Sequence, residues 1–173
     1  GVGNAIAKIA AERDFFEVMV VSDYDLSRAE SVVEWIRRRH GDDIAAKFLV
    51  SKIDASSAEN VADVAREFAV THIINAVEPK FVPTIFAGAY TAEVNYLDMA
   101  MSLSEAHEDD PHHKPGIMLG DAQYSLNEQW ERSGRLALVG MGVEPGLSNV
   151  FARYAADYLF SEVDEISVKD GGN

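Results

Sequence analysis

Short apolar runs alternate with amphipathic stretches along the whole chain, at spacings too long for two-residue hairpins. That pattern constrains the fold more than any other feature. Phe16–Val21 (FEVMVV), Ala46–Ile53, Thr71–Val77 (THIINAV), Tyr96–Ala100 and Leu136–Gly140 (LALVG) read as strands. Between them, helical periodicity runs over 4–13, from Asp25 to Gly41, and over Ser57–Phe68, Thr84–Thr91, Ala122–Arg132 and Leu147–Phe160. Strands separated by helices need crossover connections, and right-handed crossovers give a parallel sheet with helices on both faces. The expected fold class is therefore α/β, a doubly wound parallel sheet of the Rossmann type. THIINAV, nearly all apolar, is expected to be buried on both faces. The chain opens on a glycine turn that runs straight into a helix, so a first strand is expected before Gly1 and is missing from this sequence.

The 173 residues carry a net charge of −14, are 47% apolar and contain no cysteine. A chain this acidic offers no cationic face for duplex nucleic acid or an anionic membrane. It contains no apolar run of the ~20 residues a bilayer span needs. Without cysteine there is no disulfide framework, thiolate nucleophile or thiolate zinc site, which fits a cytoplasmic protein.

The chemistry-bearing feature is the opening turn, Gly1-Val2-Gly3. A pyrophosphate needs backbone amides at close range and a helix N-terminus aimed at it, and glycine permits that approach. If Gly1 and Gly3 began a G-x-G-x-x-G turn, Ile6 would fall at its third glycine, where it is too large. The preferred register makes Gly3 the last glycine, with the helix starting at Asn4. Asp23, twenty positions later at the end of a strand, then stands where a carboxylate takes the ribose hydroxyls of NAD and repels a ribose phosphate. The plainer alternative has Asp23 or Asp25 capping the next helix.

Asp54-Ala55 closes the next strand, where Asp54 serves equally as an adenine neighbour or as a cap for the helix from Ser57. Asn75-Ala76 ends the following strand in the region where open sheets bind ligands, with Ala76 small enough to admit a nicotinamide ribose. Asp98 and Glu144-Pro145-Gly146 follow the next two strands and converge on the same crevice by topology; Pro145-Gly146 is equally a turn. The polar segment Ser104–Gly116 reads as an exposed acidic loop. Its His107, His112 and His113 lack metal-ligand spacing, so no metal is expected. Ser148 has no nucleophile-elbow setting.

At this point the sequence resembles the saccharopine dehydrogenase-like oxidoreductases, among them relatives of lysine 6-dehydrogenase and carboxynorspermidine dehydrogenase. The resemblance is carried by Gly1-Val2-Gly3, Val21-Ser22-Asp23 with Leu26, Asp54-Ala55, Ile74-Asn75-Ala76 with Pro79, Tyr96-Leu97-Asp98, and above all Gly142-Val143-Glu144-Pro145-Gly146-Leu147-Ser148-Asn149. It implies a dinucleotide-binding domain over residues 1–146. Residues 147–173 would then be a connecting helix and the first strand, Asp164–Asn173, of a second α/β domain carrying substrate and homodimer contacts. It implies hydride transfer between NAD, favoured over NADP, and a C–N bond of an amino acid or its secondary-amine conjugate, of lysine or saccharopine type. Asp98 and Glu144 are the candidate substrate-facing groups, and the general base is placed by this reading either on one of them or beyond Asn173. Glu78 and the His-rich loop depart from the family pattern. A rival expectation is a non-catalytic module that binds NAD and signals through its quaternary state.

Overall fold

The computed structural model describes residues 1–169. Helix α1 (Val2–Ala10) leads into β1 (Met19–Asp23), and α2 (Leu26–His40) with the short α3 (Asp42–Ala45) leads into β2 (Phe48–Lys52). Then come α4 (Ala58–Glu67), β3 (His72–Asn75), a 3₁₀ turn (Pro79–Phe81), α5 (Val82–Thr91) and β4 (Asn95–Asp98). The rest is α6 (Asp121–Tyr124), α7 (Asn127–Ser133), β5 (Ala137–Leu138) and α8 (Leu147–Tyr158).

All strand pairs are parallel, and they form two sheets, β1-β2 and β3-β4-β5. Taken together, these pairings follow the doubly wound order 3-2-1-4-5-6 for every strand except the one numbered 1. The expected first strand, placed before Gly1, is not among the described residues. One expectation is not met. β3 pairs with β4 on one side only, and Ile74 is 42% exposed, so THIINAV is not buried on both faces.

Each sheet has its own core. Ala7, Ala10 and Ala11 of α1 and the following turn pack with Val33 and Ile36 of α2 and with Phe48, against Met19, Val21 and Val50. The small alanines let α1 lie close to the sheet. The second core gathers Val61, Ile85, Phe86, Ala89, Val94, Tyr96 and Trp130. There Phe86 meets Tyr96 edge-on at 5.0 Å and tilts against Trp130 at 4.9 Å. Gly88 of α5 faces Val61 of α4, and its missing side chain is what allows the two helices their close contact.

Helix boundaries follow local chemistry. Asp25 caps α2 by accepting from the Ser27 N–H, Ser57 caps α4 by accepting from the Asn60 N–H, and Gly41 ends α2 at a φ of 89°. Two expectations fail locally. The helix expected over 122–132 is broken into α6 and α7, where the Ser125 hydroxyl bonds back to the Ala122 carbonyl and competes with the helical ladder. The strand expected over 164–173 does not form in its described part, to Lys169, where Ile166 and Val168 are exposed and no strand pairs with them; its remainder lies outside the described residues. α8 itself buries no residue, and its Leu147, Val150, Phe151, Tyr154 and Tyr158 are all exposed. Among the described residues no helix is long and apolar enough to cross a membrane.

Candidate functional site

α1 begins at Val2 with Gly1 as its cap residue, two positions earlier than the sequence register places it. Gly3 therefore lies inside the first turn. The first intrahelical bond runs from the Ala5 N–H to the Gly1 carbonyl, which leaves the N–H groups of Val2, Gly3 and Asn4 without helical partners. A Cβ at Gly1 would meet nothing within 4 Å, and one at Gly3 would meet only the Ala76 Cβ, at 3.8 Å. The glycine turn is thus open to close approach and stands directly against the end of β3. Beside it the Asn4 Oδ1 is buried without a hydrogen-bond partner. Free amides, an orphaned side-chain oxygen and open space fit an anionic ligand that brings its own hydroxyls.

Asp23 ends β1, as expected. α1 runs into the start of β1 with Ala10 and Ala11 packed near Phe16 and Met19, so its glycines lie toward the end of the strand at which Asp23 stands. The Asp23 Oδ1 accepts from the Asp25 N–H at 3.1 Å and lies 3.5 Å from the Arg28 Nη1. Asp25, not Asp23, performs the capping. Two hydrogen bonds from Ser27, hydroxyl and amide, hold the Asp25 carboxyl below the usual carboxylate range.

Asp54 accepts from the hydroxyl and amide of Ser56, and these bonds hold its pKa below the ordinary value. It shapes the turn into α4 while Ser57 supplies the cap. Ala55 packs against the second core.

Asn75 is buried rather than open to the crevice. Its Nδ2 donates to the Tyr96 hydroxyl at 2.9 Å and its Oδ1 accepts from the Val77 N–H at 3.2 Å. Tyr96 in turn donates to the Asp98 Oδ2 at 2.9 Å. Burial pushes the Tyr96 phenol well above its ordinary pKa; the hydrogen bond from Asn75 opposes this, and the Asp98 charge adds to it.

Asp98 corrects an expectation. It is 0% exposed, and its oxygens accept from Tyr96, from the Gln123 Nε2 at 2.7 Å and from the Gly140 N–H at 2.6 Å. With both oxygens occupied inside the fold, Asp98 does not face a substrate; it ties β3, β4, α6 and the end of β5 together. Gln123 extends the network by accepting from the Ser102 N–H at 2.8 Å. The sequence reading missed Tyr96 and Gln123 as members. The alternation of Tyr96 and Asp98 on one strand face was a readable signal for the first, and Gln123 carried none.

Glu144, by contrast, is exposed and forms no hydrogen bond or ion pair among the described residues. The glycines around it are structural. Gly146, at a φ of 133°, packs on the Gly142 backbone, and its N–H donates to the Asn149 Oδ1 at 2.9 Å. The P-G-L-S-N run is thus the start of α8. In the 104–116 loop, Glu105 bridges Ile117, His107 accepts from the amides of Asp109 and Asp110, and His113 pairs with Asp110.

A glycine-opened helix abutting the strand ends of a doubly wound sheet defines a dinucleotide-binding class of α/β domain. Residues 1–138 match the family described as the saccharopine dehydrogenase NADP binding domain, and the chain belongs to that family. It is 29% identical over 172 residues to carboxynorspermidine synthase of Vibrio cholerae, covering 98% of this chain and 41% of the relative. It is 24% identical to carboxyaminopropylagmatine dehydrogenase of Synechocystis, covering 98% of this chain and 39% of the relative. The chain thus spans about two fifths of the length of these curated relatives. Apo saccharopine dehydrogenase (L-Glu forming) from Saccharomyces cerevisiae shares the fold, with a TM-score of 0.66 at 13% identity over 90% of this chain and 28% of that one.

Proposed function

We propose that this chain binds a nicotinamide dinucleotide along the ends of its strands, and that the protein containing it is an oxidoreductase acting on a C–N bond. The substrate is an amino acid or a secondary amine bearing a carboxylated arm. Family membership supports the oxidoreductase class. The relatives' names, a synthase of carboxynorspermidine and a dehydrogenase of carboxyaminopropylagmatine, support an amine that carries a carboxyl group. The observation that carries the reading is the approach of Gly3 to Ala76, whose Cβ lies 3.8 Å from where a Cβ on Gly3 would stand, which sets the open amides of α1 beside the end of β3.

In this reading the N–H groups of Val2, Gly3 and Asn4 hold the pyrophosphate, Asp23 meets the adenosine ribose, and Ala76 leaves room for the nicotinamide ribose. Asp54 lies at the same strand-end edge as a neighbour of the adenine. The bound cofactor exchanges a hydride with the substrate carbon. The protein orients the two partners, excludes water and handles the proton of the amine. Asp98 is too deeply buried for that proton; Glu144, exposed and without an ion pair among the described residues, is the group on this chain proposed to face the substrate amine. A second domain and a homodimer contact belong to the same proposal, with the apolar stripe of α8 as the surface they would cover.

The test is turnover by the intact protein, read as reduced-cofactor absorbance with saccharopine, lysine and carboxynorspermidine. Cofactor-dependent turnover of one of them is expected. Tight cofactor binding with no turnover of any carboxylated amine would instead fit a nucleotide-sensing module, and the absence of any nicotinamide binding would remove the reading altogether.

A further inference from the structure

We infer that the cavity between α7 and β5 is a second binding site, one that takes a free α-amino acid with an apolar side chain. The inference stands apart from the cofactor reading. Arg135 precedes β5 whereas Ala76 follows β3, and β3, β4 and β5 run parallel, so Arg135 stands at the end of this sheet away from the proposed cofactor cleft. The cavity holds about 340 Å³, a size that suits a small ligand. Phe86 and Trp130 line it, with Ala137 and Val139 on the strand side. The two rings tilt against each other at 4.9 Å and give the cavity a packed aromatic wall. Trp130 is 4% exposed, yet its Nε1 finds no acceptor among the described residues. A buried donor left in that state is uncommon and marks a place where a bound oxygen lowers the energy.

The charged groups on the lining select the ligand. Glu131 and Arg135, both exposed, line the same cavity and stand four residues apart. At that spacing Glu128 and Arg132 of the same helix close an ion pair at 2.7 Å. Glu131 and Arg135 form none, because α7 ends at Gly134 in the left-handed region, at a φ of 67°, and Arg135 lies beyond the helix. The backbone around Arg135 is then fixed. Its N–H donates to the Ser133 Oγ at 3.3 Å, and the Leu136 N–H donates to the Asn95 Oδ1 at 2.9 Å. In a chain with 29 acidic against 15 basic residues, a guanidinium without a carboxylate partner among the described residues is conspicuous. A zwitterion satisfies both charges at once. Its carboxylate accepts from the Arg135 fork, its ammonium donates to Glu131, and an apolar side chain covers Phe86 and Trp130. A ligand with a single charge leaves one of the two groups uncompensated.

The experiment titrates the intact protein with L-phenylalanine and L-leucine by calorimetry. Tryptophan fluorescence of the Trp35→Phe variant, in which Trp130 is the tryptophan remaining in this chain, reports on the cavity itself. Saturable binding with a Kd of ~1 mM or below is expected, together with a change in Trp130 emission. Phenethylamine, which lacks the carboxylate, and 3-phenylpropionate, which lacks the ammonium, should each bind ~10-fold or more weakly than L-phenylalanine. Arg135→Ala should weaken L-phenylalanine by ~10-fold or more and leave phenethylamine within ~2-fold. Glu131→Gln should weaken L-phenylalanine likewise and leave 3-phenylpropionate within ~2-fold. Both positions are exposed, so the melting temperature should hold in both variants. Arg132→Ala, whose partner is Glu128, is the charge control and should leave L-phenylalanine binding unchanged. The absence of saturable binding up to ~10 mM, or equal affinities for the zwitterion and its single-charge analogues, would overturn the inference. So would a loss of L-phenylalanine binding in Glu144→Gln with none in Arg135→Ala, which would place the amino acid at the proposed substrate face instead.

Discussion

The Asp98 carboxylate accepts a 2.6 Å hydrogen bond from the backbone N–H of Gly140, 42 residues further along the chain. It closes the end of β4 onto the end of β5, and the Met141 N–H adds a second link to the Asp98 carbonyl at 2.8 Å. Every group that meets this buried carboxylate is a neutral donor: a phenol, an amide side chain and a backbone amide.

Asp98→Asn should destabilise the fold, because the new amide NH₂ faces groups that are themselves donors. A loss of ~1–3 kcal/mol is expected from one unsatisfied buried polar group. Asp98→Ala orphans all three donors and should cost more, ~3 kcal/mol or above. Urea denaturation followed by circular dichroism measures both; a loss under ~0.5 kcal/mol for the alanine variant would contradict the network.

Two glycines with positive φ should respond very differently to alanine. At Gly146 a Cβ would collide with the Gly142 backbone, and the φ of 133° is itself strained for any L side chain. Gly146→Ala should cost ~2–5 kcal/mol, strain and overpacking together. At Gly134, with a φ of 67° and nothing within 4 Å of a Cβ, only the left-handed backbone resists, for ~1 kcal/mol. Thermal unfolding of the two variants side by side gives the comparison, and equal shifts would refute it.

Gly3→Ala separates folding from binding. Its Cβ would sit 3.8 Å from that of Ala76, an ordinary contact, and alanine is the better helix former by ~1 kcal/mol. The melting temperature should hold or rise. The methyl group would nevertheless stand where a pyrophosphate must approach the amides, so cofactor affinity should fall by ~10-fold or more, ~1.4 kcal/mol. Unchanged affinity would detach Gly3 from the proposed site.

These residues also show where the sequence was legible. Alternation of apolar runs marked all five strands, because parallel strands need apolar residues and the helices between them need caps, here Asp25 and Ser57. The positions of Gly3, Ala76 and Asp23 followed from the same logic, since strand ends in a doubly wound sheet share an edge. Side-chain direction was not legible. Asp98 ends β4 and Glu144 stands in the turn that follows β5, and both carry a carboxylate, yet one is sealed inside by partners 25 and 42 residues away and the other is exposed. Nothing local in sequence distinguishes them, because the distinction is made by α6 and by the turn at Gly140. Arg28 folding back on Asp23 was hidden for the same reason.

Tyr96 gives the fold a pH dependence at the alkaline end. Its phenol is buried, donates to Asp98 and is held well above its ordinary pKa, by burial first and by the Asp98 charge as well. A folded-state pKa above the unfolded value means that the native state keeps a proton the unfolded chain gives up. The contribution to stability is therefore complete below the unfolded tyrosine pKa, near ~10, and is lost as pH rises beyond it, by up to ~1.4 kcal/mol per pH unit. Tyr96→Phe removes the titrating group along with the bridge from Asn75 to Asp98. The variant should be less stable than wild type at pH ~7, by ~1–3 kcal/mol for the orphaned partners, and should lose less stability than wild type between pH ~9 and ~11. Urea midpoints across that range test it. Parallel pH profiles for the two proteins would show that Tyr96 ionises as freely in the fold as in the unfolded chain, and the buried network would then need another arrangement.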